Sequence, residues 1–506
     1  MYHCLEVKKR IRQRRVSRRF FAPNVYPLMK SILKRLFPPQ TQSDRGQAAL
    51  EFILPLVLLL VVLIAFAMVI PTLTPTRTLA LAGGVIIFVL SFVSTQIALY
   101  ILIFSMLLSP EFIVGATEGA TLGRGITLRV DDFIVAIIGF SWLARMAINK
   151  ELGLFLKTPL NRPIAYYILA CVTSTLFGAF FGRLELKTGF LYVLKYFEYV
   201  VIYFMVANYF KDRKQMKTFV WVMLLTCLIV SVISMTQIPQ GERISAPFEG
   251  KVGEPNTYGG YLVFMMSIAT GIALMEESFR DRLVAFFLVI LFSIPLLYTQ
   301  SRSSYLAAIP AVLSFLWLSK RKQWIPPLLL LVALLLPFMA PKVTKDRVSY
   351  TFTQGVGRPD TVTVAGVQLD TSTSARIQSW REAMRDLAQH PLLGFGVTGY
   401  RFVDAQYVRV AAETGFLGLL IFLLLLGTIL RESYRVFRAS DDPFDKGLVI
   451  GFIAGLTGLL FHAIGANTFI IVRIMEPFWF IAAMVMMIPT LEKDRRGEAA
   501  KAGGKG

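Results

Sequence analysis

Cysteines, histidines and nucleotide-binding motifs are scarce or missing in this chain. Its 506 residues include three histidines and three cysteines. Cys171 and Cys227 lie inside apolar runs and Cys4 lies in a basic arm, a distribution that offers neither a disulfide framework nor a zinc site. No Walker loop, Asp-x-Asp pair or histidine cluster occurs, so we expect no metal, no cofactor and no nucleotide hydrolysis.

The chain is instead strongly apolar. Hydrophobic residues make up 55% of it, and the mean hydropathy is +0.60. Apolar runs of 17 to 22 residues recur, and each is long enough to cross a hydrocarbon core of ~30 Å. The runs are continuous rather than alternating, which excludes a β-barrel. We therefore predict an all-α, polytopic integral membrane protein.

Positive charge is concentrated beside the apolar runs. The formal net charge is +21, and the first 45 residues hold twelve lysines and arginines against two acidic residues, a local excess of +10. This placement indicates membrane orientation rather than binding to nucleic acid. The run that follows is too long for a signal peptide and has no small-residue cleavage site. Gly46 and Glu51 resemble a type IV pilin processing site over only a few residues, so we expect a plain first span.

About fourteen spans are predicted, with both termini in the cytoplasm. This count depends on two short helices within 79–108, because only then do the basic loops share one side. The spans are 49–70, 79–94, 95–108, 131–147, 162–182, 187–208, 216–236, 257–275, 281–299, 303–319, 324–340, 413–430, 447–467 and 469–490.

The spans divide the chain into six regions. These are a basic cytoplasmic arm (1–48), N-terminal transmembrane helices (49–236), helices with external arginine loops (237–340), a large external loop (341–412), C-terminal helices (413–490) and a cytoplasmic tail (491–506).

Arginines occur on the predicted outer face, where the positive-inside rule disfavours them. Arg243 and Arg302 lie in two outer segments, Arg376 lies in the large loop, and Arg473 lies just inside the last span. Guanidinium groups suit phosphate oxygens. Several of them at an external membrane surface suggest a lipid-linked phosphate or diphosphate.

The stretch 374–426 is the largest polar module. We predict a helix that begins at Ser374 as its N-cap and ends before Pro391, with Trp380 at the lipid headgroups. Gly394 and Gly396 supply a turn after it. Alternating residues around Ala365-Gly366 predict a small hairpin before it.

Two charged or titratable features lie within predicted spans. Lys195 and Glu198 are three residues apart, and we expect a structural ion pair between them rather than a proton or ion relay. His462 is expected to be a packing residue. No chain of acidic residues crosses the membrane and no paired broken helices occur, which counts against an ion-coupled transporter.

The motifs between 240 and 480 resemble the O-antigen ligase and O-antigen polymerase superfamily. The resemblance rests on Arg376, Trp380, Pro391-Leu-Leu-Gly-Phe-Gly396, Asp404-Ala-Gln-Tyr407 and Glu413-Thr-Gly-Phe-Leu-Gly418, with Arg243, Glu254-Pro-Asn256 and Thr299-Gln-Ser-Arg302 upstream. It implies a GT-C-like membrane fold and a metal-independent, inverting glycosyl transfer. The donor is a glycan on undecaprenyl diphosphate, and the acceptor is a saccharide, a lipid or a protein hydroxyl.

The resemblance also suggests site residues. Arg243 and Arg302 match arginines that hold the diphosphate, and with Asp404 they form the expected catalytic set. The expected substrate-binding residues are Arg376, Tyr407, Glu254, Asn256 and Arg473. Ligases of the family carry a His-Asn pair where this chain has Asp404-Ala405, which favours an O-antigen polymerase or an exopolysaccharide ligase.

Two other classes of function stay open. One is a membrane transporter of an anion such as bicarbonate or of a lipid-linked sugar. The other is a structural subunit of a polysaccharide export assembly. The expected partners are the lipid-linked donor, the acceptor and membrane lipids, without nucleic acid, in a bacterial inner membrane.

Overall fold

The computed structural model describes residues 75–116, 125–148, 157–210, 212–241, 243–249, 253–318, 342, 344–346, 349, 362–364 and 367–503. The chain forms two compact units, Met1–Ala82 and Gly83–Gly506. Of the first unit, the described residues are the start of a helix, and every site residue discussed below belongs to the second unit.

The described elements are nearly all helical. In chain order they are α1 (Pro75–Val93), α2 (Thr95–Leu108), β1 (Glu111–Ala116), β2 (Gly125–Arg129), α3 (Val130–Ile148), α4 (Asn161–Phe180), α5 (Leu186–Tyr209), α6 (Arg213–Met235), α7 (Pro255–Met275), α8 (Phe279–Tyr298), α9 (Arg302–Leu318), β3 (Thr363–Val364), β4 (Val367–Gln368), α10 (Thr371–Leu387), α11 (Gln406–Ala439), α12 (Pro443–Gly465) and α13 (Val472–Gly503), with short 3₁₀ turns at Ile238–Gln240 and Thr468–Ile470.

Eight of these helices are long and apolar enough to span a membrane, namely α4 to α8 and α11 to α13. Shorter apolar helices occur at Leu81–Val93, Thr95–Leu108 and Arg302–Leu318. The prediction of an all-α, multi-pass membrane protein is thereby confirmed. The predicted spans 49–70 and 324–340 lie outside the described residues.

The predicted break within 79–108 is present. Ser94 separates α1 from α2, and its hydroxyl accepts a hydrogen bond from the backbone amide of Ile97 at 3.4 Å. A serine at this position satisfies one of the amides that a helix start leaves without a partner. The region therefore consists of two short helices, as the distribution of basic loops predicts.

Helices α7, α12 and α13 form the centre of the bundle. The apolar window of α13 is 89% buried, whereas that of α8 is 28% buried, so α8 lies at the periphery. Glycines allow the central helices to approach closely: a Cβ on Gly271 of α7 would lie 2.1 Å from the carbonyl oxygen of Gly447 in α12. Small residues at such crossings are typical of membrane helix packing.

Two small antiparallel hairpins accompany the helices. Strands β1 and β2 pair with Glu111 opposite Arg129. Strands β3 and β4 pair Thr363 with Gln368 and Val364 with Val367, which confirms the hairpin predicted from the alternating residues.

The predicted start of the outer helix is wrong. Helix α10 begins at Thr371, and Asp370 occupies the N-cap position with an extended backbone. Ser374 is buried one turn inside, where its hydroxyl accepts from the amide of Val362 at 2.9 Å and donates to the carbonyl oxygen of Leu369 at 3.3 Å. Serine and aspartate suit the N-cap position equally well, and here the earlier residue occupies it because Ser374 contacts Val362 beside the hairpin.

The inner face of α10 forms a small core of its own. Ala383 packs with Val403 and Ala405, and Trp380 lies against this group. Residues 370–405, which we call the outer segment after their predicted side of the membrane, are thus fixed to the start of α11 by apolar contacts.

Candidate active site

Several helix ends converge at one end of the bundle, which we call the signature end. It comprises the first turns of α7, α9, α11 and α13 and the last turn of α12. A Cβ on Gly259 would lie 2.3 Å from Ser304 Oγ, and one on Gly465 would lie 2.7 Å from Ser303 Oγ. The start of α9 therefore contacts both α7 and α12. Helix N-termini carry partial positive charge, so this end suits anions.

Hydrogen bonds join the turn between α12 and α13 to the start of α11. Asn467 donates to the carbonyl oxygen of Val403 at 2.8 Å, and the amide of Phe469 donates to Gln406 Oε1 at 2.9 Å. These bonds flank Asp404. They place it beside the last two membrane helices although it is some sixty residues away in sequence.

Arg243 lies between two of the predicted motifs. Its Nε donates to the carbonyl oxygen of Thr299 at 3.1 Å, and its NH2 donates to Asn256 Oδ1 at 3.3 Å. Thr299 precedes Arg302 by three residues. The structure thereby brings Arg243, Asn256 and the segment that leads to Arg302 together, across two membrane helices.

Arg302 pairs with an aspartate of the outer segment. Its NH2 lies 3.0 Å from Asp370 Oδ2, and the arginine side chain is 22% exposed whereas the aspartate is 2% exposed. Burial raises the pKa of Asp370, but the hydrogen bond and the charge of Arg302 outweigh this effect and hold it below its ordinary value. The carboxylate is therefore ionised at neutral pH.

A second arginine–aspartate pair joins the first half of α10 to the end of the outer segment. Arg376 donates from Nε at 3.2 Å and from NH2 at 2.8 Å, both to Asp404 Oδ2. The two side chains are 25% and 24% exposed. Because both partners are equally accessible, Asp404 can be reached by a molecule that approaches Arg376.

Two predicted binding residues are engaged within the protein. Tyr407 donates its hydroxyl to the carbonyl oxygen of Leu460 at 2.7 Å. Glu254 stands at the N-cap of α7 and accepts from the Thr257 hydroxyl at 2.6 Å. These contacts attach α11 to α12 and define the first turn of α7, which carries Asn256.

Arg473 is buried rather than displayed at the surface. Its side chain is 3% exposed and lies 3.4 Å from Glu249. It donates to the carbonyl oxygens of Pro247 at 3.0 Å and Phe248 at 3.2 Å. Phe248 has a positive φ of 65°, a conformation that costs energy for a residue with a side chain. Arg473 thus holds the strained loop that bears Arg243.

His462 is fully buried at the signature end. Its Nδ1 lies 2.8 Å from Thr468 Oγ1, and a Cβ on Gly260 would lie 3.0 Å from its ring. The ring fills the space that this glycine leaves on α7, in agreement with the packing role expected from the sequence.

The two glycine-rich motifs, Pro391–Gly396 and Glu413–Gly418, dock onto each other through backbone hydrogen bonds. The amide of Gly396 donates to the carbonyl oxygen of Glu413 at 2.9 Å, and that of Phe416 donates to Pro391 at 2.8 Å. Gly415 interrupts α11 with φ 71° and ψ −177°. A Cβ there would lie 2.1 Å from the carbonyl oxygen of Leu392, so only glycine permits this approach.

Two side chains that the sequence did not single out, Arg409 and Ser174, support this turn. Glu413 Oε1 accepts from Arg409 Nε at 2.9 Å and from the amide of Thr398 at 3.3 Å. Ser174 Oγ of α4 lies 2.6 Å from the carbonyl oxygens of Leu393 and Glu413. The four-residue spacing of Arg409 and Glu413 on a helix could have indicated their pairing, whereas no signal marks Ser174.

A cluster of buried charges lies near Arg473, and it corrects one prediction. Among the ion pairs of the described residues, Lys195 pairs with Asp132 at 3.3 Å and no pair joins it to Glu198. Arg129 pairs with Asp131 at 2.7 Å. Among the described residues, Glu198 Oε1 and both carboxylate oxygens of Glu476 have no hydrogen-bond partner. Lys195 prefers Asp132 because α3 packs against α5 and presents that carboxylate to it.

Within the part of the chain that the structure describes, no group of three or more histidine, cysteine or acidic residues is arranged to hold a metal ion. The charged groups gathered at the signature end are instead the arginines and the aspartates paired with them.

Comparison with known proteins gives a family for this region. Residues 286–423 match the family model of the O-antigen ligase domain. This range contains Arg302, Asp370, Arg376 and Asp404, together with both glycine-rich motifs. No curated protein matches the chain. This match supports the resemblance to the O-antigen ligase superfamily that the sequence suggests, over the residues that carry its motifs.

Proposed function

We propose that this protein transfers a glycan from undecaprenyl diphosphate to a saccharide or lipid acceptor at the periplasmic face of the inner membrane. The observation that carries the proposal is the pair of arginine–aspartate contacts, Arg302–Asp370 and Arg376–Asp404, inside the O-antigen ligase domain. A polymerase or an exopolysaccharide ligase fits Asp404 better than a ligase that uses a histidine there.

The donor site consists of fixed positive charge. As the glycosidic bond breaks, the departing diphosphate gains negative charge. Arg302 and Arg243, together with the first turns of α7 and α9, stabilise that charge more strongly than they stabilise the bound donor. The arginines thereby stabilise the leaving group through preorganised hydrogen bonds.

The acceptor site is centred on Asp404. An acceptor hydroxyl attacks the anomeric carbon from the side opposite the diphosphate, which inverts the configuration. Its proton passes to a carboxylate oxygen of Asp404 while the electron pair of the broken C–O bond leaves with the diphosphate. Arg376, which binds Oδ2 through two N–H groups, orients the carboxylate toward the acceptor.

Asp404→Asn tests whether Asp404 acts on the acceptor and not on the donor. We expect transfer from purified lipid-linked glycan to fall by roughly 10²–10⁴-fold, the usual contribution of a positioned base, while binding of undecaprenyl diphosphate stays nearly unchanged. Arg401→Gln is a matched control, because Arg401 pairs with Glu382 at the surface of the same outer segment. Equal loss of donor binding in Asp404→Asn would indicate a structural role.

Cells that carry the Asp404 variant separate the enzyme from the transporter alternative. An inactive glycosyltransferase leaves lipid-linked precursor on the outer leaflet. Failure of a transporter of lipid-linked sugars leaves the precursor on the inner leaflet. An export subunit that still assembles tolerates the substitution.

A further inference from the structure

Asp370 joins the outer segment to a membrane helix. It occupies the N-cap position of α10, and its Oδ2 lies 3.0 Å from NH2 of Arg302, the first residue of α9. The two residues are separated by 68 positions in sequence. This contact therefore links the external helix directly to an arginine of the proposed donor site.

The two arginine–aspartate pairs differ in exposure, and the difference separates their roles. In the Arg376–Asp404 pair both side chains are about equally exposed. In the Arg302–Asp370 pair the guanidinium is 22% exposed and the carboxylate only 2%. A ligand can reach Arg302, whereas Asp370 lies behind it. The buried partner is suited to orient the arginine rather than to touch the substrate.

We infer that Asp370 is a positioning residue of the donor site: it holds the Arg302 guanidinium in the orientation that binds the diphosphate. This inference rests on the proposed function. Arginine binds phosphate through a planar fork whose direction matters, and a long side chain that is already fixed loses less freedom when a ligand binds. Without Asp370, Arg302 keeps its charge, but its guanidinium is no longer held in one orientation.

A purely structural role for Asp370 is the competing explanation, because the residue also occupies the N-cap position of α10. Asparagine and serine suit an N-cap position as well as aspartate does, but neither carries a charge for Arg302. Asp370→Asn and Asp370→Ser therefore keep a residue suited to the helix start and remove the ion pair. If a place at the helix start were the only role of Asp370, both variants would bind donor normally.

The experiment uses the full chain in nanodiscs, with undecaprenyl diphosphate as the binding probe. We expect Asp370→Asn and Asp370→Ser to weaken binding by roughly tenfold or more, because asparagine replaces a hydrogen bond between charged groups by a weaker one to a neutral amide and serine is too short to keep it. We expect the double variant Asp370→Asn/Arg302→Ala to bind no more weakly than Arg302→Ala alone, because Asp370 acts through Arg302. Glu382→Gln, which breaks a surface ion pair of α10, should bind like the unmodified protein.

The possible failures are distinguishable. Normal binding by both Asp370 variants, or losses that multiply in the double variant, would overturn the inference and leave the proposed function intact. If the unmodified protein does not bind the probe and Arg302→Ala transfers glycan normally, the proposed function itself fails. Melting temperatures are measured for each variant. A lowered melting temperature with unchanged affinity of the folded fraction also overturns the positioning role.

Discussion

Burial distinguishes arginines that the sequence presents as equivalent. Arg473 is almost fully buried and fixes a loop through two carbonyl oxygens. Arg302 and Arg376 are partly exposed and paired with aspartates. The sequence predicts a group of outer arginines from the positive-inside rule. It does not predict their partners, because Asp370 and Asn256 approach only when helices distant in sequence pack together.

Arg243 and Arg302 are expected to be the main groups that stabilise the leaving diphosphate. Removing one preorganised oxyanion donor costs on the order of 10²–10³-fold in rate, or ~3–4 kcal/mol. We predict losses of this size for Arg243→Ala and for Arg302→Ala, measured as transfer from purified lipid-linked glycan at matched protein levels. Arg302→Lys should rescue only partly, because lysine keeps the charge and loses the two-pronged geometry.

Near-normal transfer by both alanine variants would place the diphosphate site elsewhere. Arg401→Ala, at the exposed surface pair, shows what loss of an arginine outside the site does to the rate. Arg473→Ala is a poor comparison because this residue holds the loop that carries Arg243.

At the scale of secondary-structure elements, the two glycine-rich motifs form the contact by which the outer segment docks onto α11, which we call the docking joint. The glycines of Pro391–Gly396 and Glu413–Gly418 allow two backbone segments to meet with ordinary hydrogen bonds of 2.8 to 2.9 Å. The sequence shows the glycines, but the predicted span 413–430 runs through Gly415 without a break. The interruption at Gly415 depends on Leu392 lying opposite it, and no local pattern reports that contact.

Gly415→Ala tests the joint, and Gly427→Ala in the same helix is its control. A Cβ at position 415 would collide with a backbone oxygen. A Cβ at position 427 would have no other heavy atom within 4 Å. We predict that Gly415→Ala lowers the melting temperature and abolishes transfer. Gly427→Ala should be neutral or stabilising by up to ~1 kcal/mol, the usual helix preference for alanine. Equal stability of the two variants would show that the joint does not require the glycine.

Local sequence signals predicted some elements correctly and misplaced others. The break at Ser94 and the hairpin of Thr363–Gln368 follow from charge distribution and alternation. The start of α10 was misplaced by one turn, because Asp370 and Ser374 are equally good caps and the choice depends on tertiary contacts. In the same way, Glu198 is nearer to Lys195 in sequence, but Lys195 pairs with Asp132, 63 positions away.

At the scale of the whole molecule, the buried charge cluster ties α3, α5 and α13 together. Breaking a buried ion pair typically costs 3–5 kcal/mol because one charge is left uncompensated. We predict a loss of roughly that size for Arg129→Ala, which removes the partner of Asp131. Glu476→Gln should retain or raise stability, since it keeps the side-chain volume and removes an ionisable group without a described partner. Denaturant titration of the protein in lipid measures both, and a smaller cost for Arg129→Ala than for Glu476→Gln would contradict this account.

The orientation of the protein in the membrane decides whether the site faces the side on which the lipid-linked donor is presented. If the signature end faces outward, the chain from Pro341 to Ala412 is external and both termini are cytoplasmic, as the distribution of basic loops predicts. Alkaline phosphatase fused after Asp360 should then be active, and the same enzyme fused after Gly506 should be inactive, with a cytoplasmic reporter giving the reverse at both sites. Basic loops resist translocation, and in this orientation the arginines of the signature end would be tolerated outside because Asp370, Asp404 and Glu249 neutralise them. A fusion at Asp360 that is active only in the cytoplasm would put these arginines on the wrong side of the membrane for an external lipid-linked donor, and the proposed reaction would fail with the topology.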